Sequence, residues 1–158
     1  ANMKIELTRL STIDKSDIIN LMNHPLVRRQ MPLFDGEFKP RDCDSFVAAK
    51  EKLWDDFGFG PWAFLVDGQF AGWGGLQPEE GDADLALVLH PDFWGCGKAI
   101  YNKILEQAFG PMGLSSITLL LPTSRVGVSG VIGLGFKEEA ILTIKGHPFK
   151  RFRLNKSN

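Results

Sequence analysis

The chain has 158 residues, 44% hydrophobic and 23% charged, which suits one soluble globular domain with a sizeable core. Its 18 Lys and Arg against 19 Asp and Glu leave a net charge of −1, with no basic surplus for nucleic acid. No apolar run reaches the roughly 18 residues of a membrane span, and its two cysteines and three histidines lack metal-ligand spacing, so no metal is expected.

In chain order, "MKIELTRL" (Met3–Leu10) alternates as a strand does. "TIDKSDIINLMN" follows as a helix, with Thr12 or Asp14 as cap and Ile18, Leu21 and Met22 at helical spacing. "HPLVRRQMPLFDGEFKPRD" carries three prolines and a DG pair and reads as loop. "RDCDSFVAAKEKLWDDF" is a second helix, capped at Asp42 or Asp44 and burying Phe46, Val47, Leu53 and Trp54. Three antiparallel strands are predicted over about 62–67, 69–77 and 83–90, the first two joined at Asp67-Gly68, a strong hairpin signal. "HPDFWGCGKAIYNKILEQAF" hands over to a helix whose apolar face holds Ile100, Ile104, Leu105 and Ala108. "SSITLLLPTS" is continuously apolar, as an interior strand would be. A glycine-rich short helix ending in "GLGF" and two strands around "KGHP" close the chain.

This order implies an α/β fold: a mixed, mostly antiparallel sheet of about seven strands with helices on both faces. No repeat, low-complexity tract or linker divides the chain, so residues 1–158 are expected to form a single domain. The N-terminus shows no charged-then-apolar targeting pattern, and a cytoplasmic home is the expectation.

Gly95 and Gly97 stand where a strand hands over to a helix. A helix N-terminus presents N–H groups and a positive dipole end to a phosphate, and glycine removes the Cβ that would block close approach. An ordinary tight turn accounts for two glycines equally well. The dinucleotide pattern GxGxxG fails at Ile100, and the phosphate loop GxxxxGK[ST] fails because Ala99 follows Lys98 and no glycine stands five residues before Gly97.

The whole run "ADLALVLHPDFWGCGKA" resembles the acetyl-CoA motif of the GNAT acetyltransferases, [Gln/Arg]-x-x-Gly-x-[Gly/Ala]. Trp94, Gly97 and Ala99 take its three positions. Trp in first place after "HP" is similar to the branch containing the ribosomal-protein N-terminal acetyltransferases. The strand order and the closing "GLGF" fit the family too. The resemblance implies acetyl-CoA as cosubstrate, its pyrophosphate on Gly95, Cys96, Gly97, Lys98 and Ala99, with Lys98 adding a positive charge. The pantetheine arm would pair with Leu87, Val88 and Leu89, in a cleft opened by a bulge in that strand and its splaying from 116–122. Where relatives carry Asn and Ser to hold the arm, this chain has Ser124 and Gly127; Ser124 can donate one hydrogen bond, and Arg125 is a substitute phosphate ligand.

Acetyl transfer to an amine requires a polarised thioester carbonyl, here by a strand N–H near Leu87 or Val88, and a base for the amine proton. Asp84, where relatives carry Glu, is the candidate base, with a solvated strand-start carboxylate as the plain alternative. Ser129 is the candidate acid; Tyr101 reads as packing, and His90 and His147 as structural. Glu79, Glu80, Asp82 and Asp84 form either an acidic lip for a cationic amine or a solvated turn. Trp73, inside "GWGG", is the candidate acceptor-side wall, with room left by its glycines. The expected reaction is acetyl transfer from acetyl-CoA to a primary amine, either a protein N-terminus or a small α-amine. The balanced charge and the lack of a long apolar run point to action without nucleic acid or membrane; a homodimer stays open. The alternatives are a catalytically silent CoA-binding module on the same fold and a nucleotide-binding protein unrelated to CoA.

Overall fold

The structure, a computed structural model, describes residues 2–31, 34–124 and 129–157. Seven strands build one sheet: β1 (Ile5–Thr8), β2 (Pro61–Val66), β3 (Gln69–Glu79), β4 (Asp82–Leu89), β5 (Ser116–Pro122), β6 (Lys137–Ile144) and β7 (His147–Asn155). Their order is β1-β2-β3-β4-β5-β7-β6. Every neighbouring pair is antiparallel except β4 and β5, which run parallel. The helices are α1 (Lys15–Asn23), α2 (Pro25–Arg28), α3 (Pro40–Phe57), α4 (Gly97–Phe109) and α5 (Ser129–Gly133).

The expected architecture is present, with boundary corrections that have local causes. β1 stops at Thr8 because Leu10–Thr12 winds into a 3₁₀ turn. The segment expected to be loop contains α2. Pro25 opens it, where proline's missing N–H costs nothing, and His24 Nδ1 accepts the Leu26 N–H at 3.2 Å. α3 begins at Pro40, and Asp42 caps it from inside by accepting the Lys39 N–H at 2.8 Å. Within α3, Cys43 is the fully buried residue, while Phe46, Val47, Leu53 and Trp54 are half-buried.

Apolar side chains cover both faces of the sheet. Leu76, Leu85 and Phe152 pack with Ile100, Ile104 and Ala108 of α4 on one face. Ala63 and Trp73 pack with Ile18, Met22 and Cys43 of α1 and α3 on the other. Asp67 and Gly68 turn the β2–β3 hairpin with φ of 50° and 81°, the left-handed pair that its dipeptide predicts. The glycines beside Trp73 do something other than make room for it. A Cβ on Gly72 would stand 2.1 Å from the Val88 carbonyl oxygen, and one on Gly74 2.2 Å from that of Ala86. They let β3 and β4 approach backbone to backbone.

β5 pairs with β7 along its whole length, Ser116 to Pro122. With β4 it pairs only at Asp84↔Thr118 and Leu85↔Leu119. The sheet therefore forks after Leu85. The bulge expected in β4 is absent: its register with β3 runs unbroken from Gly72↔Leu89 to Glu79↔Asp82.

Candidate active site

The fork opens into a cleft of about 870 Å³ that reaches both faces of the sheet. Its lining joins β4 from Asp84 to Leu89, β5 from Leu119 to Pro122, the start of α4, and side chains from α1, α2 and α3. Of the residues singled out from the sequence, Trp73, Asp84, Leu87, Val88, Leu89, Gly97 and Lys98 meet in this lining.

Strand geometry decides which β4 amide is free. Successive residues point their N–H and C=O to opposite edges. The carbonyls of Ala86 and Val88 face β3, as their closeness to Gly72 and Gly74 shows, and the His90 N–H bonds Ala71 on the same side. Leu87 and Leu89 therefore face the fork, where β5 has turned away. Leu89 is partly used, because its carbonyl accepts the Trp94 indole N–H at 2.9 Å. The N–H groups of Leu87 and Leu89 both face the fork without a β5 partner, Leu87 standing nearer Asp84, while Val88 is committed to the ladder.

Asp84 sits at the apex of the fork. Thr118, fully buried, donates its hydroxyl to Asp84 Oδ1 at 2.8 Å. Burial is the main force on this carboxyl and pushes its pKa up to about 7; Glu79 and Asp82 push the same way, while Thr118 and Arg151 oppose them. The carboxyl is thus half-buried and tied to Thr118 instead of standing free in solvent. The acidic lip is also broken, because Asp82 is held by Arg153 at 2.9 and 3.0 Å. Cross-strand partners share a face, so Gln77 opposite Asp84 and Trp73 opposite Val88 project to the side covered by α1 and α3. There Lys50 of α3 donates to Gln77 Oε1 and lies 5.1 Å from the Trp73 ring centroid and 5.3 Å from that of Phe46. Burial lowers the Lys50 pKa to about 8. Trp73 is itself pinned, its indole N–H directed at Met22 Sδ at 3.3 Å.

At the other end, Pro91–Cys96 forms a 3₁₀ turn that runs directly into α4. The Gly97 N–H closes onto the Trp94 carbonyl, so of the amides expected over 95–99 that one is spent, while those of Lys98 and Ala99 stand in the first turn of α4, where helix donors have no partner within the helix. Gly97 itself has ordinary helical angles (φ −55°, ψ −43°), and the nearest atom to a Cβ there would be Leu89 Cδ1 at 3.8 Å. The fold does not need glycine at 97. A side chain there would fill the cleft wall instead. One turn along α4, the Tyr101 hydroxyl is buried without a partner among the described residues, on a residue that lines the cleft. Burial raises its pKa, which keeps it a donor. Lys98 Nζ lies 5.6 Å over the Tyr101 ring.

Other candidates lie elsewhere. Trp94 and Gly95 are exposed, and Cys96 turns towards Met3 with 3.5 Å between the sulfurs. Ala99 follows on the helix outside the lining, and Ser124 is exposed beyond β5. Ser129 opens α5, but its side chain, like Arg125 and Gly127, lies outside the described residues. His90 caps the 3₁₀ turn by accepting the Asp92 N–H at 3.1 Å, and His147 is exposed at the β6–β7 turn. Among the described residues no three His, Cys, Asp or Glu side chains gather as metal ligands, and no helix is long and apolar enough to cross a membrane. Lys50, Gln77, Thr118 and Tyr101 are site residues that sequence reasoning misses. The one signal the sequence holds for Lys50 is a lysine one turn from Phe46 on the face that α3 turns inward.

A sheet forked between two parallel strands, with a carboxyl at the apex and a helix start at the mouth, defines the acyl-CoA N-acyltransferase class of fold. Residues 4–123 match the acetyltransferase (GNAT) domain, and the chain belongs to that family of acetyltransferases. No curated protein matches it. Among solved structures it is similar to a mutant of spermidine N-acetyltransferase SpeG from Vibrio cholerae (15% identity, TM-score 0.67, covering 97% of this chain and 93% of that one). It is similar to yncA of Salmonella typhimurium, solved with its cofactor acetyl-CoA (16%, 0.65, 98% and 94%). It is also similar to N-acetyltransferase PseH of Campylobacter jejuni in complex with acetyl coenzyme A (16%, 0.66, 98% and 100%).

Proposed function

We propose that this protein transfers the acetyl group of acetyl-CoA to a primary α-amine, either a protein N-terminus or a small molecule, in the manner of the ribosomal-protein branch of the family. The whole chain acts as one domain, since β6 and β7 beyond residue 123 complete the same sheet. The observation that carries the reading is the fork itself. It sets the free Leu87 N–H and the buried Asp84 carboxyl at one opening.

The cleft fits the CoA arm on three counts. Gly97 leaves the wall open where the fold has no need of a glycine, Lys98 adds positive charge at the helix start, and Tyr101, whose hydroxyl has no partner among the described residues, belongs to the lining. Two neighbours of the same fold were solved with acetyl-CoA. The cosubstrate supplies the activated thioester when bound. The Leu87 N–H donates to the carbonyl oxygen as negative charge develops there. Asp84, half-ionised near neutral pH, takes the proton that the amine sheds. Thr118 holds the carboxylate in place. Trp73 and Phe46 wall the acceptor side.

The test is incubation with acetyl-CoA and an amine panel, following free thiol and product mass. α-Amines are expected to be acetylated faster than ε-amines of peptides with blocked N-termini. No product with any amine in a protein that binds acetyl-CoA would refute the transferase reading and leave a silent CoA-binding module.

A further inference from the structure

Lys50 needs an explanation that the transfer chemistry does not provide. Of the residues that segment 22–50 contributes to the cleft lining, Lys50 alone is charged among those described; its companions include Met22, Val27, Met31, Phe34 and Phe46. Its ammonium rests on one amide oxygen and two aromatic faces, and no carboxylate pairs with it among the described residues. An ammonium carries three donors. One goes to Gln77, and a half-buried cation without a counter-ion is costly unless something arrives to pair with it.

Its position relative to Asp84 is fixed by the sheet. Gln77 and Asp84 are direct cross-strand partners, which places their Cβ atoms about 4.5–5.5 Å apart. The Lys50 ammonium, bonded to the end of the Gln77 side chain, therefore lies on the same face of β3 and β4 as the Asp84 carboxyl, and both residues line the cleft. A molecule that carries an amine and an anionic group on one carbon offers one group to each of them. The remaining wall, from α1 to α3, is apolar and aromatic apart from Gln30.

We propose that Lys50 binds the carboxylate of the acceptor, so that the substrate is a free α-amino acid with a large apolar side chain. This rests on the acetyltransferase reading of the cleft and selects the small α-amine over the protein N-terminus. The amine then lies towards Asp84, the carboxylate on Lys50, and the side chain against Phe46, Trp73 and Met31. The cation assists a second way: a like charge nearby disfavours the protonated amine. It also disfavours a polyamine, whose second ammonium would have to lie in the same pocket.

The experiment compares L-phenylalanine and L-methionine with their carboxamides, with a dipeptide amide of the same first residue, and with spermidine. Each is assayed for kcat/KM with acetyl-CoA in the wild type, Lys50→Met and Lys50→Arg. Wild type is expected to favour the free acid over its amide by roughly ten- to hundredfold, the range of a charge-assisted hydrogen bond, with the difference in KM. Lys50→Met is expected to collapse the preference and Lys50→Arg to keep most of it; melting temperatures check that both variants fold. Equal kcat/KM for acid and amide in the wild type, a preference for spermidine, or an acetyl group found on Lys50 itself would each overturn the proposal. Calorimetry with CoA-loaded protein reads the same preference without turnover, so amino-acid binding that is blind to the carboxylate refutes it even if no amine is acetylated. Failure to bind acetyl-CoA at all would strike the underlying reading instead.

Discussion

Asp84→Asn tests the heart of the site. The wild-type carboxyl has a pKa of about 7 in place of 3.8, so it is half-ionised at pH 7 and about one-tenth ionised at pH 6. The α-amine of a peptide has a pKa of about 7.7–8.0, and any acceptor amine, the more basic one of a free amino acid included, loses its reactive form as pH falls below its own pKa. If Asp84 accepts the proton shed on attack, log kcat/KM falls below pH 7 with a slope approaching two, one proton for each group. In Asp84→Asn the slope falls to one, and turnover at pH 7 drops by about 10²–10⁴, the usual contribution of a positioned base. The same shift affects stability. A folded pKa above the unfolded one means the protonated form is favoured by folding; that contribution is full below about pH 4 and is lost as pH rises through 7. The ionised carboxylate therefore costs at most about 4 kcal/mol at pH 9. Asp84→Asn is expected to melt higher than wild type at pH 9 and about equally at pH 5, with the gain below that ceiling because the new NH₂ group lacks a partner. Initial rates from pH 5.5 to 9, with melting curves in the same buffers, decide both. An unchanged two-proton slope in the variant would refute Asp84 as the base.

Two further substitutions separate what the fold needs from what the ligand needs. Gly97→Ala adds a Cβ 3.8 Å from its nearest neighbour in a helical conformation, so stability is expected to rise by up to about 1 kcal/mol while calorimetry shows weaker acetyl-CoA binding; unchanged affinity would remove the glycine from the site. Tyr101→Phe removes a buried hydroxyl with no partner among the described residues, so the free protein is expected to melt no lower than wild type, and acetyl-CoA affinity to fall about two- to tenfold; a loss of stability without a loss of affinity would assign the hydroxyl to the fold.

Much of this fold was legible because local signals agreed. Alternation and the Asp67-Gly68 pair marked the hairpin, a continuous apolar run marked the interior β5, and Ile100, Ile104 and Ala108 at helical spacing marked the face of α4. Pro25 misled, since the same proline that ends one helix can begin another. Asp84 could be picked out, but its state could not. A carboxylate among Glu79, Glu80 and Asp82 reads as solvated until Arg153, 71 residues away, takes Asp82 and Thr118, 34 residues away, buries beside Asp84. The choice between the Leu87 and Val88 amides was beyond sequence for the same reason: which edge an amide faces follows from register with β3. Lys50 meets Gln77 across 27 residues, and no local pattern reports that.

The fork follows from where β5 finds its partners. All seven residues of β5 pair with β7, against two with β4. β5 is thus carried along with the β6–β7 hairpin, and the sheet divides into β1–β4 and β5–β7 hinged at Asp84 and Leu85. One more residue pair of β4–β5 ladder would draw Leu87 towards a partner and close the opening; one fewer would free Asp84 from Thr118 and let water reach it. A carboxyl dry enough to titrate near neutrality and an amide wet enough to accept a ligand cannot share a regular strand pair. They are compatible here because the parallel ladder stops between them. Phe136, Tyr101 and Ile117 fill the floor on the α4 side, so the opening keeps its shape with apolar packing beneath it. Leu87, whose N–H has no β5 partner, and Tyr101, whose hydroxyl is unpartnered among the described residues, both line the opening, where the proposed acyl carbonyl and amide-bearing arm would lie.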